Sequence, residues 1–338
     1  MTGPRPPGDA TGQDLPTRSG WERLGVGLPL VQAPIGGACT PALVAAVGDA
    51  GALGMLAGSW LPRAALTDQI RAVQRATARP FGVNLVLEWP QHERLATALD
   101  HGVPAISTFW GDPAPYRERI QAAGAVHFHT VGSRAEARAA ADLGVDVIVA
   151  QGWDAGGHVR GTTATLAFVP AVVDLVSPVP VLAAGGIADA RGVRAVLALG
   201  ARGAWVGTRF LLAEEAGTHP DFRRRLVAAT AEDTVHTTVF ADGWPDAPHR
   251  ALRNTTLTRW EAAGRPAAGA RPGEHDVIAE HRELGPVRRY ADVVPLADHV
   301  GDVEAMAMYA GQGVGLATTT EPAASIVADL ARGFAAPE

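Results

Sequence analysis

Two polar side chains, Gln151 and His158, flank the string Gly152-Trp153-Asp154-Ala155-Gly156-Gly157. An amide carries both donors and an acceptor, and Asn84 upstream is another. Such groups can read the edge of a planar, hydrogen-bonding ring. Gly156 and Gly157 let a loop fold close against that ring, because a residue without Cβ permits close backbone approach. His158 follows the glycine turn directly, and a neutral imidazole takes up a proton near neutral pH, as a general base must. A second set of residues could hold an anion. Gly185-Gly186 and Gly207-Thr208 each end a β-branched run, and glycine turns leading into helix N-termini bind phosphate. Thr208 adds a hydroxyl donor.

The chain has 11 histidines, and most of the others read as structural. His127 and His129 alternate on one run and share a face, expected to lie under helices. His219, His249, His275, His281 and His299 fall in a polar stretch and are expected to be solvated. Arg209, Arg253 and His249 are candidates to meet an anionic substrate, with surface solvation as the competing reading. No His/Asp/Glu set has metal-ligand spacing, so no metal is expected, and no Gly-x-Ser-x-Gly elbow occurs.

Composition narrows the chemistry. All 29 basic residues are arginine, which excludes a lysine Schiff base, pyridoxal phosphate held on lysine, and a Walker A loop. The single cysteine, Cys39, excludes an internal disulfide and a multi-cysteine metal site. A net charge of −6 argues against nucleic acid as a partner. No apolar run reaches the roughly 18 residues of a membrane span, and the first residues carry no hydrophobic segment, so a cytoplasmic protein is expected.

These residues need elements to position them. Eight short β-branched runs are predicted as strands: Leu30–Ile35, Leu53–Ala57, Phe81–Leu87, Ala105–Phe109, Val126–Val131, Val145–Ala150, Pro180–Ala184 and Ala204–Phe210. Helical punctuation separates them. Thr40 is an N-cap before Pro41, with Gly51 as a stop. Ser133 and Glu136 form a capping box, and Asp189 caps a helix ending at Gly200. This alternation predicts an α/β fold, a (β/α)8 TIM barrel, with a doubly wound sheet as the alternative. Residues 1–20 are expected to be a disordered leader, 21–213 the barrel, 214–303 an inserted, mainly helical cap, and 304–338 a segment returning to the barrel. Asn84, Gln151, Gly185-Gly186 and Gly207-Thr208 fall in the C-terminal parts of the predicted strands or just after them, with His158 on the loop that follows, where barrel sites lie.

The strings carrying these residues resemble the nitronate monooxygenases, formerly 2-nitropropane dioxygenases. AQGWDAGGHVRG (150–161) is the most specific. QAPIGGACTP (32–41), PFGVNL (80–85), AAGGI (183–187), VGTRFL (206–211) and MYAGQGVGL (308–316) follow in order. The resemblance implies a (β/α)8 barrel holding non-covalent FMN, acting with O2 on a small-molecule nitronate, as a monomer or homodimer. Asn84, Gln151, Gly156 and Gly186 match its FMN contacts, with Gly157 and Gly185 beside them. Ala33, Pro34, Ile35 and Gly36 would face the flavin through the backbone, Trp205, Val206, Gly207 and Thr208 match the phosphate-side segment, and Gln312 matches a glutamine near the flavin. His158 matches the catalytic histidine. Three positions depart from the pattern: Asp154 replaces the usual Glu, Trp153 fills a variable position, and Thr130 stands near the flavin where some relatives have a lysine. The competing expectations are a flavin-dependent NAD(P)H enoyl-thioester reductase and a natural-product flavin oxidase.

Overall fold

The computed structural model describes residues 20–335. The expected leader therefore lies outside the described residues, except for Gly20. Eight parallel strands form one sheet: β1 (Leu30–Gln32), β2 (Gly54–Ala57), β3 (Phe81–Val86), β4 (Ala105–Phe109), β5 (Val126–Val131), β6 (Val147–Gln151), β8 (Val181–Ala184) and β9 (Gly203–Val206). A further two-residue strand, β7 (Gly157–His158), stands outside it. Neighbours run in the order β1-β9-β8-β6-β5-β4-β3-β2. Leu53 closes the ring against β1, donating to Leu30 C=O and accepting from Gln32 N–H, both at 2.9 Å. All eight predicted runs contain a strand, because each is buried on both faces and so reads as a continuous apolar stretch. The first stops at Gln32 rather than Ile35, and the last at Val206 rather than Phe210, where Thr208–Leu212 form a 3-10 helix.

Alternation along each strand sorts side chains into two cores. Val31, Met55, Phe128, Val149, Leu182 and Trp205 fill the barrel interior. The helix α1 (Gly20–Leu24) plugs this interior with Trp21, whose ring meets Phe128 edge-on at 6.2 Å. Outward-facing Val83 and Leu85 pack on Leu66, Ile70 and Val73 of α3 (Arg63–Ala76) and on Leu95 of α4 (His92–Asp100). The opposite side packs Ile148 and Ala183 on Val169 and Val172 of α7 (Thr165–Val176), on Val193 of α8 (Ala190–Ala198), and on Ile326 and Leu330 of α11 (Ala323–Ala331). Each fully buried aliphatic side chain contributes about 1.5–3 kcal/mol. The remaining barrel helices are α2 (Pro41–Asp49), α5 (Ala114–Ala122) and α6 (Arg134–Asp142).

The expected caps form. Thr40 accepts from Leu43 N–H at 3.0 Å, and Asp189 accepts from Arg191 N–H at 2.8 Å and Gly192 N–H at 3.2 Å. Ser133 accepts from Glu136 N–H at 3.2 Å. The Glu136 carboxylate accepts from Gly132 N–H at 2.7 Å, one residue before the position a capping box uses.

Residues 214–303 are of mixed structure, not mainly helical. They hold α9 (Pro220–Ala228), β10 (Thr234–Thr237), β11 (His249–Leu252), α10 (Thr255–Ala262), β12 (Val277–His281), β13 (Gly285–Arg288) and β14 (His299–Gly301). The strands make two antiparallel sheets, β10-β11-β7 and β13-β12-β14. Strands of three to five residues are too short to show a period-2 pattern through the surrounding Gly, Pro and charged residues. The first of these sheets takes in β7, so the loop after β6 is part of both layers.

Candidate active site

Inward-facing positions at the C-terminal ends of β3, β5 and β6 bring Asn84, Thr130 and Gln151 to the barrel mouth. Asn84 and Thr130 are 5% and 8% exposed, and neither side chain has a hydrogen-bond partner among the described residues. Gln151 donates from Nε2 to His158 C=O at 3.0 Å, while its Oε1 is buried without a partner. Buried polar atoms are normally satisfied, so an orphaned acceptor at a barrel mouth fits a ligand's donor. Ser107 Oγ, on β4, is a second such atom.

The glycine turns gather the other end of the site. Gly185 and Gly186 adopt φ of +117° and +69°, a region open to glycine. A Cβ on Gly185 would lie 2.6 Å from Thr165 Oγ1. Trp205 and Val206 are buried in β9, and Ala33 N–H donates to Val206 C=O at 2.8 Å, which seats the Ala33-Pro34-Ile35-Gly36 turn beside that strand. Gly207 follows, and Thr208 Oγ1 accepts from Gly311 N–H at 2.9 Å. Gln312 N–H donates to Asp154 C=O at 2.9 Å. The closest approach at Gly156 is to protein backbone, since a Cβ there would stand 2.3 Å from Gly311 N. Gly157 takes φ +70° with open space around it.

Two of the departures have structural explanations. The Asp154 carboxylate accepts from Thr165 N–H at 2.7 Å and so caps α7, whose own N-cap residue, Ala164, cannot. The Trp153 ring lies under the Arg250 guanidinium, 4.1 Å from ring centre to Cζ. Arg250 donates to Trp153 C=O at 3.0 Å, which ties the loop to β11.

His158 sits on β7, register-paired with His249 of β11. Its side chain is 9% exposed, and Nε2 is buried with no hydrogen-bond partner. The ring stacks on Trp244 with centres 3.9 Å apart, and Trp110 and Tyr309 meet it edge-on at 6.0 and 5.5 Å. Burial pushes its pKa well below the usual 6.5, and the neighbouring His249 adds to this, so the imidazole is neutral. His249 accepts at Nε2 from Phe240 N–H, which assigns its Nδ1–H to the Ala247 carbonyl 2.9 Å away. Burial lowers its pKa to about 4. His249 and His299 are 0% and 2% exposed, which overturns the expectation of solvated rings.

Sequence reasoning missed Asp292, Trp244, Trp110 and the role of Tyr309. Asp292 Oδ2 lies 3.8 Å from His158 Nε2, too far for a hydrogen bond, and Oδ1 accepts from Tyr309 Oη at 2.6 Å. Burial raises the Asp292 carboxyl to about 6, and the Tyr309 hydroxyl opposes that rise. Tyr309 carried a signal, inside the MYAGQGVGL string. The cations considered for an anionic substrate are engaged elsewhere: Arg209 pairs with Glu321 and donates to Thr319 C=O at 3.1 Å, and Arg253 pairs with Glu261. Among the described residues no three His, Cys, Asp or Glu side chains form a metal-ligand group. Nor is any helix among them long and apolar enough to cross a membrane.

A closed parallel barrel carrying a buried neutral histidine and orphaned polar atoms at its C-terminal mouth defines a (β/α)8-barrel enzyme. The chain belongs to the nitronate monooxygenase family, which it matches over residues 19–93 and 89–333, and it is an oxidoreductase. It is 30% identical over 356 residues to a probable nitronate monooxygenase of Staphylococcus aureus, covering 91% of this chain and 95% of that one. It is 35% identical over 247 residues, 72% of this chain and 68% of the other, to the (3aS,4S,5R,7aS)-5-hydroxy-7a-methyl-1-oxo-octahydro-1H-indene-4-carboxyl-CoA dehydrogenase of Mycobacterium tuberculosis. Among solved structures, FabK from Thermotoga maritima aligns with a TM-score of 0.80 at 29% identity, covering 94% of this chain and 96% of that one. Nitroalkane oxidase from Streptomyces ansochromogenes aligns at 0.76 and 31%, covering 94% and 99%.

Proposed function

We propose that this protein oxidises alkyl nitronates and nitroalkanes with O2, yielding a carbonyl compound and nitrite, with FMN at the barrel mouth and His158 as the base. The observation that carries this reading is the buried, neutral His158 imidazole with its unpartnered Nε2 among aromatic rings. FMN when bound supplies the redox chemistry, taking electrons from the substrate and passing them to O2.

The residues of the mouth fit such a cofactor. The free amide of Asn84 and the unpartnered Oε1 of Gln151 would meet the polar edge of its ring, with Thr130 alongside. The Ala33, Pro34, Ile35 and Gly36 backbone and Gln312 would border it, and Gly156 and Gly157 would shape the loop above it. Gly185, Gly186, Trp205, Val206, Gly207 and Thr208 would hold its phosphate through backbone N–H groups and a hydroxyl. His158 binds a nitronate beside the aromatic wall, or removes the α-proton when the neutral nitroalkane arrives. In that step the C–H bond breaks, the proton moves to the imidazole, and the electron pair delocalises onto the nitro group.

A second reading is redox chemistry on a CoA thioester, including NAD(P)H-dependent reduction. The 35% identity to the carboxyl-CoA dehydrogenase favours it. One anaerobic titration separates them. Flavin bleaching by an alkyl nitronate but not by NADH or NADPH supports the nitronate reading. Bleaching by a nicotinamide alone transfers support to the thioester reading, and a protein that cannot be loaded with FMN overturns both.

A further inference from the structure

A carboxylate buried in an aromatic pocket needs a reason, and Asp292 has no cation paired to it. We propose that Asp292 is a positioning residue for proton abstraction, its carboxylate held by Tyr309 Oη 2.6 Å away and set 3.8 Å from His158 Nε2 to hold the imidazolium that forms when His158 deprotonates a neutral carbon acid. This role rests on His158 acting as the base. Before the step the imidazole is neutral. After it, the ring carries a full positive charge inside a stack of Trp244, Trp110 and Tyr309, where an uncompensated charge is costly. Asp292 supplies the opposite charge within the range over which it favours the charged imidazole.

The surroundings leave Asp292 free for this partner. Tyr309 donates to one oxygen, and His158 faces the other. His249 stands one ring further off, its centre 5.5 Å from that of His158 and 5.3 Å from that of Tyr309, and its neutral form is satisfied by backbone on both nitrogens. The Asp292 N–H donates to Asp242 C=O at 2.9 Å, and the Asp242 carboxylate pairs with Arg271 at 2.5 Å, so neither supplies charge to Asp292. With its carboxyl raised to about 6, Asp292 is ionised at neutral pH beside a neutral His158, the pair of states proton abstraction requires. A substrate that arrives as a preformed nitronate needs no proton removed, so it gains nothing from Asp292.

The test compares nitroethane with ethyl nitronate on the FMN-loaded full chain. In Asp292→Asn the ratio of kcat/KM for nitroethane to that for ethyl nitronate falls about 10- to 100-fold, the effect of one to two pKa units on the base. The isotope effect with α-deuterated nitroethane rises, and the acid limb near pH 6 in the nitroethane profile is lost. An unchanged ratio with FMN retained overturns the role. Should Asp292→Asn fail to fold, Tyr309→Phe decides. Loss of its donated hydrogen bond raises the Asp292 pKa and shifts the acid limb for nitroethane to higher pH, whereas an unmoved limb overturns the role. Wild-type enzyme inert toward both compounds overturns the nitronate reading itself, a result distinct from either variant's.

Discussion

The imidazole of His158 and the indole of Trp244 stack 26° from parallel with ring centres 3.9 Å apart, although the two residues come from different layers of the molecule. His158 follows the sixth strand of the barrel, and Trp244 lies between the β10 and β11 strands of the insertion. Trp110, from the loop after β4, packs on Trp244 at 4.9 Å, and Trp89 packs on it at 5.3 Å. The His158 imidazole is thus walled by aromatic surface from both layers, and that surface excludes the water that would otherwise raise its proton affinity.

His158→Ala is expected to retain bound flavin and lose roughly 10²- to 10⁴-fold in turnover of a nitroalkane, the range for a general base. Absorbance of the purified variant and initial rates check both halves. Unchanged turnover would remove His158 from its role.

Gly156→Ala places a Cβ 2.3 Å from Gly311 N and 2.5 Å from Ala310 C, backbone that cannot swing aside as a side chain can. The loop or the 308–316 segment must shift, at a cost of about 1–3 kcal/mol by analogy with overpacked sites. Flavin affinity falls with stability, because the same shift displaces Gly157 and Gln312. Gly157→Ala meets no atom but forces a side chain into φ +70°, so it is expected to cost less in denaturant melts than Gly156→Ala.

Asp189→Ala removes an N-cap that satisfies two backbone N–H groups at the start of α8. The expected loss is about 1 kcal/mol. Catalytic constants measured below the melting transition stay near wild type, since Asp189 touches none of the residues around His158. A loss of activity without a loss of stability would show that α8 positions the site more directly than its packing indicates.

Stability is expected to fall on mild acidification. Burial holds His127 at about 3 and His129 and His249 at about 4, each below the unfolded value near 6.5. The unfolded chain therefore binds these protons first, so the stability from the three neutral rings is complete above about pH 6.5 and is lost as pH falls toward 4. Asp292 runs the other way. Its folded pKa of about 6 lies above the ordinary carboxyl value, so its protonation adds stability over the same range. Three groups outweigh one, and Tm at pH 5 should lie below Tm at pH 7. A flat or rising Tm would show that the histidines become hydrated in the fold.

Much of the barrel is legible in the sequence because its strands are buried on both faces and three of its helices, α2, α6 and α8, open on capping residues. Thr40, Ser133 and Asp189 do what their types dictate. The site is legible where it follows strand ends: Asn84, Thr130, Gln151 and His158 assemble at one mouth. What lay hidden depends on contacts far apart in the chain. Asp292 stands in a stretch without periodicity and gains meaning only once Tyr309 and His158 surround it. His249 looks like an exposed ring in a polar segment until β11 pairs with β7 and buries it. Arg209, beside the predicted phosphate turn, is claimed instead by Glu321 near the chain's end.

The short strand β7 is hydrogen-bonded into the insertion's sheet, so His158 lies at an edge of the layer that also supplies Trp244 and His249. Substrate range and reactivity are therefore mechanically coupled. An insertion or deletion between Thr237 and His249 would reshape the wall and drag His158 with it. A change in the wall would therefore move the His158 ring, while the glycine turns after β8 and β9 stay as they are.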